Sequence, residues 1–171
     1  MVAQFNKTLE IGKQSEEIAE QYFRKRQLNY VDVRNEKAFQ KQDIDYIVDS
    51  LGAVEVKKNY HTAMKYHPGD FFWIEISIDE KPGWWQFCEA DYFFFIGDNK
   101  SIIIRNDKKF KYLINELIKY GDHSGYGLNR FDNKLDRRWN KFVTAKNMRV
   151  YVEQLKNIEY TILVNRRPIT K

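Results

Sequence analysis

The sequence predicts an α/β fold in which a mixed β-sheet is flanked by helices. Apolar residues recur at helical spacing twice, near the beginning of the chain and again in residues 110–120. Between these segments, six short runs rich in aromatic and β-branched residues are separated by polar turns. The order of helix, strands and helix in a chain of 171 residues is typical of one domain with a sheet between helical layers.

The first predicted helix covers residues 9–27, and the last covers Phe110–Tyr120. In the first helix, apolar residues fall near one face, and Glu, Lys, Gln and Arg fill the other. These apolar residues are Leu9, Ile11, Ile18, Ala19, Tyr22 and Phe23.

The predicted strands lie between the two helices, with a polar connector at Asn35–Lys41. They are Tyr30–Arg34, Ile44–Val48, Ala53–Lys57, Phe71–Ile78, Ala90–Ile96 and Ser101–Arg105. The turn Asp49–Gly52 predicts that the second and third strands pair as a hairpin.

Residues 121–171 are predicted to form a basic C-terminal extension that is packed on, or linked to, a core of residues 1–120. Gly121–Phe131 contains three glycines and is the best candidate for a linker. Beyond it, Met148–Leu155 has helical spacing, although Arg149–Val152 is equally compatible with a strand. Ile158–Val164 is predicted to be a strand.

The composition excludes several classes of protein. Cys88 is the only cysteine, so an internal disulfide and a thiolate zinc site are excluded. No segment reaches the ~18 apolar residues of a membrane span, and Met1–Lys13 lacks the apolar run of a secretory signal. We therefore expect an intracellular, cytoplasmic protein that has no membrane partner.

Charge is distributed unevenly along the chain. The net charge is +5, but residues 101–171 contain 16 Lys and Arg against 7 Asp and Glu, whereas residues 1–100 contain 13 against 17. Basic residues hold the phosphates of a polyanion largely without reading its sequence. A solvated surface or a subunit interface is the ordinary alternative. The predicted nucleic-acid contacts are Lys58, Arg137, Arg138 and Lys141.

Three ionisable residues are expected to converge at one end of the predicted hairpin. Glu55 and Lys57 are two apart on a strand and therefore share a face, whereas Val54 and Val56 point into the other layer. Pairing of the two strands places Asp45 near Glu55. Carboxylate oxygens are the ligands that Mg²⁺ and Mn²⁺ require, so we predict a Mg²⁺ site in which Mn²⁺ is a substitute.

An acid and a lysine flanking an apolar residue are also common on exposed edge strands, where they have no chemical role. For Glu55-Val56-Lys57 alone this is the more frequent explanation. Asp45 and the tight turn between the two strands favour a site. A lysine in this place would orient an attacking water and offset the negative charge that develops on a phosphate.

Asp45, followed after a strand and turn by Glu55-Val56-Lys57, resembles the motif of the PD-(D/E)XK nuclease superfamily, which has the restriction-endonuclease-like fold. The helix segment Gly12–Ala19, followed by Tyr22-Phe23, resembles that of small members, including the Holliday-junction-resolvase-like branch. Asp43-Ile44-Asp45 resembles their acid-Ile-Asp element. The resemblance covers roughly residues 9–105, and this chain lacks a Pro before the first acid.

The resemblance implies a metal-dependent endodeoxyribonuclease whose core runs helix, three-stranded meander, helix and strand. By this match Glu16, Asp45 and Glu55 hold Mg²⁺, and Lys57 is the catalytic lysine. Asp43 remains an alternative to Asp45, and Glu17 remains an alternative to Glu16. The resolvase-like branch further implies branched or junction DNA as the substrate and a homodimer, because two opposed strands must be cut.

A second, softer resemblance links the strand Gly69–Glu75 and the turn Pro82-Gly83-Trp84 to phage and plasmid nuclease-like proteins. Two other functions stay open. A catalytically inactive module that keeps the fold for DNA binding or protein interaction is disfavoured by the presence of Asp45, Glu55 and Lys57 together. A metal-independent RNA-processing nuclease is disfavoured because such enzymes rely on His or Tyr as general acid or base.

Overall fold

The computed structural model describes residues 2–58, 60–61, 69–78, 81–120, 130–136 and 141–164, and it describes side chains within 13–58, 60–61, 69–78, 81–120 and 147–163. The helices are α1 (Val2–Lys25), α2 (Lys37–Gln40) and α3 (Lys108–Tyr120). The strands are β1 (Tyr30–Asp32), β2 (Tyr46–Val48), β3 (Gly52–Lys57), β4 (Tyr60–His61), β5 (Phe71–Ile78), β6 (Lys81–Pro82), β7 (Tyr92–Ile96), β8 (Lys100–Arg105), β9 (Arg130–Asp136), β10 (Lys141–Tyr151) and β11 (Tyr160–Val164). Short 3-10 helices occupy Trp84–Gln86 and Val152–Gln154.

The strands form two sheets. The central sheet has six strands in the order β1-β2-β3-β7-β8-β11, and the second sheet has the order β4-β5-β10-β9 with β6 paired to β5. Within the central sheet only the β3–β7 pair is parallel, so the sheet is mixed, as the sequence predicts. A second sheet forms as well, because β5 pairs with β10 rather than with the strands around the hairpin.

Two apolar clusters divide the molecule into layers. On one face of the central sheet, Ala19 and Phe23 of α1 pack against Val54, Val56 and neighbouring buried side chains. On the other face lie α3 and the second sheet, whose buried residues share a cluster with the opposite side of β7. Alternation along β7 explains how one strand serves both clusters, since successive side chains point to opposite faces.

Helix α1 is longer at its beginning than predicted, starting at Val2 instead of residue 9 and ending at Lys25. Nothing in Val2–Thr8 is a Gly or Pro that would stop the helix. At the other end Gln27 adopts a left-handed conformation with φ 55°, which terminates the helix. No helix among the described residues is long and apolar enough to cross a membrane.

The predicted hairpin is confirmed. Strands β2 and β3 are antiparallel, with Tyr46 opposite Val54 and Val48 opposite Gly52. Gly52 has φ 83°, and a Cβ at this residue would lie 2.3 Å from an Asp91 carboxylate oxygen. That oxygen accepts the Ala53 N–H at 2.8 Å. The turn therefore requires glycine, and its close contact fixes the register that positions Asp45 and Glu55.

The connection from β3 to its parallel neighbour β7 passes through the second sheet. A parallel pair needs a crossover of about a dozen residues or more, which is usually a helix. Here residues 58–91 supply β4, β5, β6 and a 3-10 helix, and the described part of this connection contains no α-helix. The implied helix between meander and fourth strand is therefore absent from the described residues.

The C-terminal half supplies strands to both sheets. Strand β10 pairs with β5, and β11 pairs with β8. The strand alternative for Arg149–Val152 is confirmed up to Tyr151, where β10 ends, and a 3-10 helix follows at Val152–Gln154. Burial alternates in this part of β10: Met148 and Val150 are buried and Arg149 is not. In the predicted linker, residues 121–129 lie outside the described residues, and β9 begins at Arg130.

Candidate active site

The end of the β2–β3 hairpin brings Asp45 beside β3. The Asp45 N–H donates to the carbonyl of Val54 at 3.0 Å, which extends the pairing by one residue beyond β2. The Asp45 Oδ2 atom accepts the Val56 N–H at 2.8 Å. These two bonds fix the carboxylate against the backbone on both sides of Glu55, and Oδ1 is not used by them.

Among the acids whose side chains the structure describes, Glu55 is the most deeply buried, with 3% of its surface exposed. Burial raises the pKa of its carboxyl to about 8; the charge of Lys57 opposes this shift, and the nearby Asp45 carboxylate adds to it. Any further cation near this buried carboxyl would strongly stabilise its ionised form.

Lys57 forms an ion pair with Glu55 on the same face of β3. Its Nζ atom lies 4.8 Å from the centroid of the Trp84 ring, and 30% of the side chain is exposed. Burial acts to lower the pKa of this ammonium, but the charge and hydrogen bond of Glu55, followed by Asp45, more than reverse the effect and the pKa is raised. Lys57 is therefore a positive charge that solvent can still reach.

Glu16 lies on α1 and approaches the hairpin from a different element. It is half-buried and forms an ion pair with Arg34, whereas its neighbour Glu17 is exposed. Partial burial raises the pKa of the Glu16 carboxyl; Arg34 opposes this effect, and Asp45 adds to it. Asp45 raises the pKa of both Glu16 and Glu55. Helix α1, which carries Glu16, packs on the Val54 and Val56 face of β3, opposite the face of Glu55 and Lys57.

Arg34 is a residue of this region that the sequence did not single out. Its guanidinium donates to Glu16, Asp32 and Glu20. It also lies over the Tyr46 ring, with Cζ 5.0 Å from the centroid. The only advance signal is the two-residue spacing of Asp32 and Arg34 in the predicted strand Tyr30–Arg34, which would place both on one face; in the structure β1 ends at Asp32 and Arg34 lies in the following turn. A single sequence gives no reason to expect three acids around this arginine.

Trp84 is the second residue that was not assigned to the site. It follows Gly83, where a Cβ would lie only 1.6 Å from the Glu75 carbonyl oxygen. The Gly83 N–H donates to the Ile76 carbonyl at 2.8 Å. This close backbone contact holds the turn against β5 and brings Trp84 over Lys57.

The remaining predicted residues are placed as follows. Asp43 belongs to a turn with φ 51°, not to a strand, and contributes only the smallest of the charges acting on Glu55. Lys58 is paired with Asp98 at 3.7 Å. Lys141 begins β10 opposite Asp136, and its side chain is not among those described. Arg137 and Arg138 lie outside the described residues.

The donor chemistry fits a hard divalent cation, since Glu16, Asp45 and Glu55 offer only carboxylate oxygens. In the described part of the chain, no three His, Cys, Asp or Glu side chains are arranged to hold a metal ion. Glu16 is paired with Arg34 and Glu55 with Lys57, so each of these acids is already bound to a basic side chain. A metal that binds the same oxygen atoms, Oε2 of Glu16 and Oε1 of Glu55, would have to displace these basic side chains.

Comparisons of the chain with protein-family models, with curated proteins and with solved structures found no match.

Proposed function

We propose that this protein is a metal-dependent endodeoxyribonuclease with the restriction-endonuclease-like fold. The observation that carries the proposal is the meeting of Asp45, Glu55 and Lys57 at the end of one hairpin. Glu16 of α1 interacts electrostatically with Asp45. Two carboxylates and an ammonium at the end of one hairpin, with a third acid whose charge acts on Asp45, suit the hydrolysis of a phosphodiester.

The order of elements supports the same proposal. Helix α1 precedes a meander of β1, β2 and β3, and β7 then lies parallel to β3. This is the order implied by the resemblance to the nuclease superfamily, apart from the connection through the second sheet.

Each residue has a part in the proposed reaction. Asp45, Glu55 and Glu16 would hold the cation, and the rigid backbone contacts of Asp45 would fix its position. Lys57 would orient the attacking water and stabilise negative charge on the phosphate, because its ammonium is charged and accessible. A bound Mg²⁺ would supply stabilisation of that charge and a lowered pKa of the attacking water.

The basic half of the chain would hold the DNA backbone. Arg137 and Arg138 belong to the connection between β9 and β10, and Lys141 begins β10. Lys58 follows the last residue of β3 and so lies next in sequence to Lys57. Contacts of this kind bind phosphates of any sequence. We further propose branched or junction DNA as the substrate and a homodimer as the active form.

The test of the proposal is cleavage of linear, single-stranded, flap and four-way-junction DNA in Mg²⁺, Mn²⁺ or EDTA. Asp45→Asn and Glu55→Gln should each lower Mg²⁺-dependent cleavage by at least about 10²-fold, since each weakens binding of the cation that would stabilise negative charge on the reacting phosphate. DNA binding should remain largely intact in both variants. Glu17→Gln is the matched control, because Glu17 is exposed on the same helix as Glu16.

Three outcomes separate the possibilities. Wild-type cleavage rates in both Asp45→Asn and Glu55→Gln would contradict the site assignment. Metal-dependent cleavage of RNA but not DNA would contradict the substrate class. DNA binding by the wild-type protein without cleavage in any metal would favour the inactive nuclease-fold module.

A further inference from the structure

Arg34 stands where three acids from two elements converge. Glu16 and Glu20 come from α1, and Asp32 comes from β1. The Arg34 side chain is 23% exposed, and its guanidinium is stacked over Tyr46. A partly buried guanidinium in several charge-assisted hydrogen bonds is a strongly held cation.

One of these three acids is also a proposed metal ligand. The Glu16 carboxylate is bound to Arg34 and is repelled by Asp45, with which it would share the metal. Glu16 therefore has two alternative cationic partners, one within the chain and one from solution. The Glu16 oxygen that accepts from Arg34, Oε2, cannot bind the guanidinium and the metal ion at the same time.

We propose that Arg34 is a tethered cation that occupies Glu16 in the metal-free protein and is displaced by the divalent cation, so that it sets the metal affinity of the site. This inference rests on the proposed function. Competition for one carboxylate weakens metal binding by the free energy of the contact that must be broken.

The surroundings of Arg34 make this exchange feasible. When Glu16 leaves, the guanidinium keeps its bonds to Asp32 and Glu20, so it remains paired. Glu20 itself is held by the hydroxyl groups of Tyr30 and Tyr46, each at 3.2 Å. An open cavity of about 470 Å³ lies against Glu16, Glu20 and Arg34, so the Glu16 side chain borders free volume, although Asp45 and Glu55 are not among the residues that line it.

The test measures Mn²⁺ binding directly, by calorimetry and by the spin-resonance signal of the free ion, in the full chain. Arg34→Gln should bind Mn²⁺ more tightly, within the roughly 5- to 150-fold range of typical coupling between two ligands. Arg24→Gln is the matched control. Arg24 pairs with Glu20 but has 64% of its side chain exposed, so its loss should leave Mn²⁺ affinity unchanged.

A double-mutant cycle separates competition for Glu16 from a general loss of positive charge. In a protein that already carries Glu16→Gln, the contested carboxylate is gone, so Arg34→Gln should have no further effect on Mn²⁺ affinity. An equal effect in both backgrounds would overturn the proposal. Arg34→Lys serves as a second variant if Arg34→Gln fails to fold. It retains the charge but not the planar guanidinium, and should give an intermediate gain in Mn²⁺ affinity.

Failure of this inference differs from failure of the proposed function. Unchanged or weaker Mn²⁺ binding by both Arg34 variants would overturn the role of Arg34. If Asp45→Asn at the same time lost Mn²⁺ binding, the metal site itself would still be supported. Absence of Mn²⁺ binding by the wild-type protein would overturn both.

Discussion

At the scale of the residue, Glu55 shows a conflict between stability and chemistry. Its carboxylate is nearly inaccessible, and burial raises its pKa to about 8. Lys57 reduces this penalty but is itself partly removed from water. Buried ion pairs seldom stabilise a fold more than apolar side chains of similar volume, because both charges lose hydration. Stability alone therefore does not account for this pair.

This conflict predicts opposite outcomes for a single and a double variant. Lys57→Met should lower the free energy of unfolding by about 1–3 kcal/mol, because it leaves the acid without its counter-charge. Glu55→Leu combined with Lys57→Met should be at least as stable as the wild type. Urea unfolding in EDTA measures both. A double variant that is clearly less stable than Lys57→Met alone would contradict the argument.

At the scale of the element, short turns place the reacting groups. The β2–β3 turn sets the register that brings Asp45 to Glu55, and the turn before Trp84 brings an aromatic ring over Lys57. Gly52 has a positive φ and a Cβ there would meet the Asp91 carboxylate, whereas a Cβ at Gly83 would meet the backbone of Glu75. The backbone conformation of the first turn and the backbone contact of the second therefore help to fix the candidate site.

Gly83→Ala should displace the turn that carries Trp84. The new Cβ would meet the backbone of Glu75 at 1.6 Å, and backbone cannot turn aside as a side chain can. We expect a loss of stability of about 1–3 kcal/mol or more, the usual range for overpacking, measured by thermal and urea unfolding. Gly69→Ala is the control, because its Cβ would meet a Tyr151 ring carbon at 3.2 Å. Equal stability of the two variants would show that the Gly83 contact is unimportant.

The sequence predicted the local elements better than their partners. The hairpin was predictable because its turn and both strands are adjacent in sequence, and alternation then placed Glu55 and Lys57 on one face. The pairing of β5 with β10 was not predictable, because β10 lies far from β5 in sequence and because Met148–Leu155 also satisfies helical spacing. The counter-ion of Glu16 was missed for a related reason, because Arg34 reaches it only through tertiary packing.

At the scale of the whole molecule, the acidic and basic halves of the chain share both sheets and one apolar core. Strands β10 and β11 complete both sheets, and Met148, Val150 and Leu155 are almost entirely buried in the larger apolar cluster. Burial of three such side chains contributes about 5–9 kcal/mol. That is comparable to the total stability of a domain, roughly 5–15 kcal/mol.

A fragment of residues 1–120 should therefore fail to fold cooperatively, although it contains every residue proposed to hold the metal. Far-ultraviolet circular dichroism and urea unfolding provide the measurement. The control is a chain that ends at Val164 and so keeps every described strand. A sharp unfolding transition in the 1–120 fragment would show that the C-terminal half is dispensable for the fold.

The parallel pairing of β3 with β7 also sets an order in time. The β2–β3 hairpin is local, and hairpins form in about 1–10 μs. Pairing of β3 with β7 requires the connection formed by residues 58–91 to close. Strand β5 lies within this connection and pairs with β10, which comes much later in the sequence. During synthesis Asp45 and Glu55 would meet early but remain in water until residue 151 has been made. A nascent chain would thus carry the two carboxylates together while still lacking the buried environment that raises the pKa of Glu55.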